Sequence, residues 1–150
     1  RHRSWNDWKH TEDTKIKATP ATVFAYLSDV RNRSDYIPML EDIILLDEGP
    51  IQVGSRYIEV AKIAGRHLKT TYQVMEMEQD EKIRVQTLES VFPIEVVIDL
   101  IEKGDQTQVQ LSLDFELKGL YKLGAPVVKG IVEQQAKDIL RRLKGRLEKA

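Results

Sequence analysis

Thr107-Gln-Val-Gln-Leu-Ser-Leu-Asp-Phe-Glu-Leu117 alternates without a break: Val109, Leu111, Leu113, Phe115 and Leu117 share one parity, and Gln108, Gln110, Ser112, Asp114 and Glu116 share the other. A strand sends successive side chains to opposite faces, so this pattern predicts one buried and one solvated face. After Gly119 the period changes. Val128, Val132, Ala136, Ile139, Leu143 and Leu147 recur at helical spacing, while Lys129, Glu133, Lys137, Arg141 and Lys144 occupy other faces. A long amphipathic helix from about Val127 is expected. Pro126 and Gly130 make its beginning less regular, and a short helical turn is expected at Leu120 to Leu123.

Upstream of the alternating strand, β-branched and aromatic runs separated by turn residues extend back to Met39. Six strands fit: Leu40 to Asp47, Ser55 to Ile63, His67 to Met77, Ile83 to Glu89, Ile94 to Ile101 and Thr107 to Leu117. The breaks between them carry hairpin chemistry, at Glu48-Gly49-Pro50, Ala64-Gly65, Gln79-Asp80-Glu81, Phe92-Pro93 and Lys103-Gly104-Asp105. Further back, Thr19 is placed to cap a helix with Pro20 at its first position and Val23, Phe24 and Leu27 on its apolar face. A second short helix is expected near Asn32 to Ile37, and Thr14 to Ala18 reads as the end of a first strand. The order is β-α-α-β6-α, an α+β arrangement. Only the last helix is long and apolar enough to cover the sheet. A seven-stranded antiparallel sheet is therefore expected to curl round it, with the short helices as a lid over a cavity.

The chain has 150 residues, 41% hydrophobic and 31% charged, the balance of one folded domain and not of a disordered or collagen-like chain. Residues 1–11 show neither period and read as an N-terminal arm, with Trp5 and Trp8 covering an apolar edge; residues 12–150 form the domain. The formal charge of -1 argues against nucleic acid as a partner. That charge is unevenly spread, however. Gly119 to Ala150 carries eight basic against three acidic residues, whereas Ser34 to Glu59 carries six acidic against Arg56 alone. A basic exterior on the C-terminal helix could make peripheral contact with an anionic membrane or an acidic partner; a solvated face is the plainer reading. With no Cys, neither a disulfide framework nor a thiolate site is available, and a cytoplasmic address is expected. The absence of a long apolar run predicts neither a spanning helix nor a signal peptide.

His2, His10 and His67 are the only imidazoles and none stand at helical ligand spacing, so no metal is expected. Ser55 lacks a G-x-S-x-G elbow, and Gly119 and Gly124 are not followed by the Lys-Ser or Lys-Thr of a phosphate loop. No cofactor is expected. What remains are polar residues that strand alternation could turn inward: Tyr57, Glu59, Thr71, Thr87 and His67, with Gln135 at the edge of the helical stripe. Glu59 shares parity with Tyr57 and Ala61. A buried carboxylate needs a partner, and if Arg56 or Lys62 lies opposite, Glu59 is structural. His67 alternates with Lys69 and Thr71 and is expected to face solvent. Apolar lining is expected from Met75, Leu111, Leu113, Phe115, Val128 and Val132.

Four stretches taken together carry a resemblance: Lys17-Ala-Thr-Pro-Ala-Thr-Val-Phe-Ala-Tyr-Leu-Ser-Asp29; Gly49-Pro50 followed by Val53-Gly54-Ser55-Arg56-Tyr57; Tyr72-Gln73-Val74-Met75-Glu76; and the closing helix from Ala136 to Glu148 with Leu143-Lys144. In their order and spacing the chain, from about Glu12 to Ala150, resembles the SRPBCC superfamily, also called START-like or Bet v 1-like. Within it the likeness is to the polyketide cyclase/dehydrase and lipid-transport family. One departure is Tyr36, where many relatives carry Trp before the proline. The resemblance implies a helix-grip fold with a hydrophobic cavity between sheet and long helix. It implies binding or transport of a hydrophobic small molecule such as a lipid, polyketide or quinone-like compound. Catalytic residues are not shared across such relatives, so no active site transfers. The alternative is a polyketide cyclase/dehydratase-like enzyme using Tyr57, Glu59 or His67 as acid and base. A third is an interaction protein acting through its basic helix and arm.

Overall fold

The computed structural model describes residues 8–63, 65–90, 93–116 and 124–149. Its strands are β1 Trp8–Ile16, β2 Leu40–Leu45, β3 Arg56–Ile63, β4 Arg66–Glu78, β5 Lys82–Glu89, β6 Ile94–Lys103 and β7 Gln106–Phe115. Between β1 and β2 run α1 Pro20–Ser28, a single 3₁₀ turn Val30–Asn32 and α2 Arg33–Tyr36; α3 Ala125–Glu148 follows the last strand. All seven strands join one antiparallel sheet in the order β1-β7-β6-β5-β4-β3-β2. This is the helix-grip architecture the alternation and its final helical stretch predict.

The local chemistry accounts for the elements. In β7, Thr107, Val109, Leu111, Leu113 and Phe115 are buried while their neighbours are not. Thr19 caps α1 by accepting from the Thr22 N–H at 3.2 Å, and Pro20 opens the helix. The sheet bends where extra residues enter it. β4 shifts register against β5 at Thr71/Tyr72 and between Val74 and Glu76, and β2 shifts against β3 between Leu40 and Asp42. Such bulges raise local twist, which lets a sheet wrap around a helix.

Helix α3 buries Ala136, Leu140, Leu143 and Leu147 in the core. Its C-terminal turn is tied to the end of β1. Lys144 Nζ donates to the Lys15 carbonyl at 2.6 Å, and Glu148 accepts from both Lys144 (2.9 Å) and the Lys17 N–H (2.8 Å). The lid is fixed to the same helix. Asp35 accepts from the Tyr26 hydroxyl at 3.1 Å and pairs with Arg146 at 3.0 Å.

Three expectations are corrected. The first strand, of which Thr14 to Ala18 is expected to be the end, runs from Trp8 to Ile16, so residues 8–11 of the expected arm belong to the sheet, with Trp8 opposite Phe115 and stacked on it at 5.1 Å. Its half-buried face is Trp8, His10, Glu12 and Thr14, polar enough to hide the alternation. Helix α3 starts at Ala125, because Pro126 is tolerated in a first turn where its missing N–H has no helical partner. Within it Leu140 is buried and Ile139 only partly. The segment Leu120 to Leu123, residues 1–7 and Leu117 lie outside the described residues.

Candidate functional site

The polar part of the buried region lies where the lid meets β3 and β4. Tyr57 on β3 is wholly buried and stands opposite Tyr72 on β4, the two rings stacked at 5.6 Å. From above, the Arg33 guanidinium of α2 sits 5.9 Å from the Tyr57 ring centre and forms an ion pair with Glu59. Both charged side chains are nearly enclosed, at 11% and 10% exposure. Tyr36, one turn after Arg33, is buried as well and lies 6.0 Å from the Tyr26 ring.

Burial opposes the charge on Arg33, but Glu59 outweighs it and holds the guanidinium pKa well above its ordinary value. Burial pushes the Tyr36 phenol up to about 12 against the opposing pull of Arg33. The same desolvation raises Tyr57 and Tyr72 further still. All three phenols are therefore neutral at ordinary pH. The Tyr57 hydroxyl is buried without a hydrogen-bond partner among the described residues, whereas the Tyr36 hydroxyl has the Arg33 guanidinium beside it. A buried donor left without a partner costs about 1–3 kcal/mol, and the Tyr57 hydroxyl stands beside an enclosed ion pair.

Around this corner the walls are apolar. Leu27, Val30, Val74, Ile83, Val85 and Val96 border a gap that Arg33 and Tyr57 also line. Among the described residues its free space is about 20 Å³, enough for one water. This gap under the lid is far smaller than the cavity expected between sheet and long helix, and no residue of α3 lines it. Ser28 and Ile51 form the partition between this gap and two surface grooves of about 450 and 540 Å³. Ile51 stands on the loop joining β2 to β3, which Arg56 pins at its base through Asp47.

The expected residues divide by face. Tyr57, Glu59, Thr87, Leu111, Leu113 and Phe115 are buried on the inner side of the sheet, and Val132 packs against the core. Val128 and Gln135 are half-buried on α3. Thr87 spends its hydroxyl on the β6 backbone, accepting from the Ile94 N–H at 3.2 Å. Thr71 pairs with Ile58, one step from the inward Tyr57–Tyr72 pair, and so faces outward. Met75 falls in the β4 bulge, and Met77 takes the inward place instead. His67 is 58% exposed and bonded to Glu41 at 2.9 Å, facing solvent as expected. Neither Arg56 nor Lys62 is the partner of Glu59, since Arg56 serves Asp47.

Sequence reasoning missed Arg33, Tyr36 and Tyr72. Arg33 and Tyr36 stand three apart on a four-residue helix, too short to display a period. Tyr72 shares the parity of Leu68 and Val74, but Met75 and Met77 carry the opposite one across the bulge, which hides the inward set.

The profile of the family described as polyketide cyclase/dehydrase and lipid transport matches residues 7–148. The chain belongs to this family. A comparison with curated proteins finds no match. Among solved structures, the family member is similar to a protein from Thermus thermophilus with a TM-score of 0.81, at 19% identity over 93% of this chain and 97% of that one. It is also similar to the Zhui aromatase/cyclase of Streptomyces sp. R1128, with a TM-score of 0.80, 18% identity, and coverage of 94% and 93%. A START superfamily protein from Mycobacterium smegmatis gives 0.76 at 18% identity, covering 94% and 97%. Likeness at this identity establishes the shared fold. No helix among the described residues is long and apolar enough to cross a membrane.

Proposed function

We propose that this family member binds a hydrophobic small molecule, lipid-, polyketide- or quinone-like, between the inner face of the sheet and the α1–α2 lid, with the polar end of the guest at Tyr57 and Arg33. The observation that carries this reading is the buried, unpartnered Tyr57 hydroxyl beside the Arg33–Glu59 pair, set in an otherwise apolar surround. Family membership supports it. Because the gap holds only about one water, entry requires the partition at Ile51 or the lid to give way. The grooves on its outer side leave Ile51 space to move into. Burying about ten methylenes yields roughly 8 kcal/mol, offset by several kcal/mol of association cost and by the opening itself, so micromolar to millimolar affinity follows.

Native mass spectrometry of gently purified protein tests this, together with thermal stabilisation by fatty acids, quinones and polyketide-like phenols. A retained or stabilising apolar species is expected; no adduct and no stabilisation across the panel would contradict the proposal.

A cyclase/dehydratase-like activity is the second reading, favoured by the neutral Tyr57 phenol held next to a cation. In that role Tyr57 would donate its proton to a developing oxyanion that Arg33 stabilises. Exposed His67 takes no part. Turnover of a poly-ketone substrate that Tyr57→Phe abolishes without weakening binding would favour catalysis.

A further inference from the structure

We propose that the outward face of α3 is a docking surface for an anionic lipid bilayer. The helix turns Ala136, Leu140, Leu143 and Leu147 to the core, which leaves the opposite side to solvent. Two β-branched side chains stand one turn apart on that side, Val127 at 67% and Ile131 at 54% exposure. Beyond them the exposed residues turn basic: Lys137, Arg141, Arg142 and Lys149. Arg141, Lys144 and Arg146 are engaged with Asp138, Glu148 and Asp35, whereas Lys137, Arg142 and Lys149 have no acidic partner among the described residues. The helix carries six basic against three acidic residues in a chain of net charge -1, and Lys149 follows directly, so positive charge is enriched here.

The two features call for one kind of partner. Cations on a helix are drawn to an anionic surface within about a Debye length, roughly 10 Å at 0.1 M salt. Exposed Val127 and Ile131 gain nothing from a phosphate backbone, but at a headgroup boundary they can leave water for the acyl region. An apolar start followed by a basic stretch therefore fits a bilayer surface better than a nucleic acid, whose binding is carried by cation–phosphate contacts. This surface is independent of the interior site.

Flotation of the full chain with vesicles tests the proposal, comparing pure phosphatidylcholine with mixtures containing about a third phosphatidylglycerol. Binding to the anionic vesicles only, weakened by salt, is expected. Lys137→Glu with Arg142→Glu should reduce it ~10-fold or more, and Val127→Ser with Ile131→Ser should remove the part that survives high salt. All four positions are exposed, and circular dichroism confirms that each variant stays folded. Equal binding to both vesicle types, no binding, or indifference to the charge reversals would overturn the proposal. So would binding to duplex DNA that outcompetes the vesicles and ignores the Val127 and Ile131 substitutions.

Discussion

Arg33 on α2 and Glu59 on β3, 26 positions apart, form an ion pair that fastens the lid to the inner face of the sheet. The pair is enclosed on both sides, so its members cannot be removed one at a time without stranding a charge. Replacing only one, as Glu59→Gln or Arg33→Met, is expected to cost about 3–5 kcal/mol, while the double substitution Arg33→Met with Glu59→Leu recovers most of that loss. Urea denaturation of the four proteins measures the coupling. Single variants within about 0.5 kcal/mol of wild type would show that the pair carries no such weight.

Removing the Tyr57 hydroxyl should separate stability from binding. Tyr57→Phe keeps the stack on Tyr72 and deletes a buried donor without a partner, so stability is expected to hold or rise by up to about 1 kcal/mol. Affinity for a carbonyl-bearing apolar guest should fall by about tenfold. Denaturation and ligand titration of the same variant supply both numbers; a large loss of stability would mean the hydroxyl is already satisfied.

Alkali probes the same corner. Burial raises the phenol pKa of Tyr36 to about 12, and those of Tyr57 and Tyr72 beyond it. A raised folded-state value favours the protonated form. The associated stability is complete below the unfolded phenol value of about 10 and is lost as pH climbs through the folded ones. Absorbance at 295 nm should therefore show these phenols ionising together with loss of the far-ultraviolet signal, not before it.

At acid pH the sign reverses. The Arg56 side chain holds the Asp47 carboxyl below its ordinary value, and the Lys17 N–H and Lys144 do the same for Glu148. Depressed values give stability that is present above about pH 4 and disappears as pH falls through the folded-state pKa. The difference in Tm between wild type and Asp47→Asn should be visible at neutral pH and close below about pH 3. A difference that persists there would exclude the carboxylate as its cause.

How much of this was legible in the sequence depended on how far each element repeats itself. β7 shows its pattern over ten residues, and its inward Leu111, Leu113 and Phe115 were read directly. Strand parity failed in β4 because the bulge at Met75 reverses it: Met77 beyond the bulge faces inward, but Thr71 before it, on the same sequence parity, faces outward. β1 escaped because polar side chains occupy its half-buried face. Glu59 was readable as inward, but its partner was not. Arg33 reaches it across the fold from a one-turn helix, a long-range contact that spacing cannot encode.

Backbone amide spectra of the isotopically labelled full chain, titrated with the apolar panel, address the interior site most directly. The account predicts saturable shifts at Tyr57, Val74, Val85 and Val96 on the inner face, together with Leu27 and Ile51 at its margin. Saturation with shifts confined to the outer strand face, or a panel that leaves every inner residue unmoved, would contradict it.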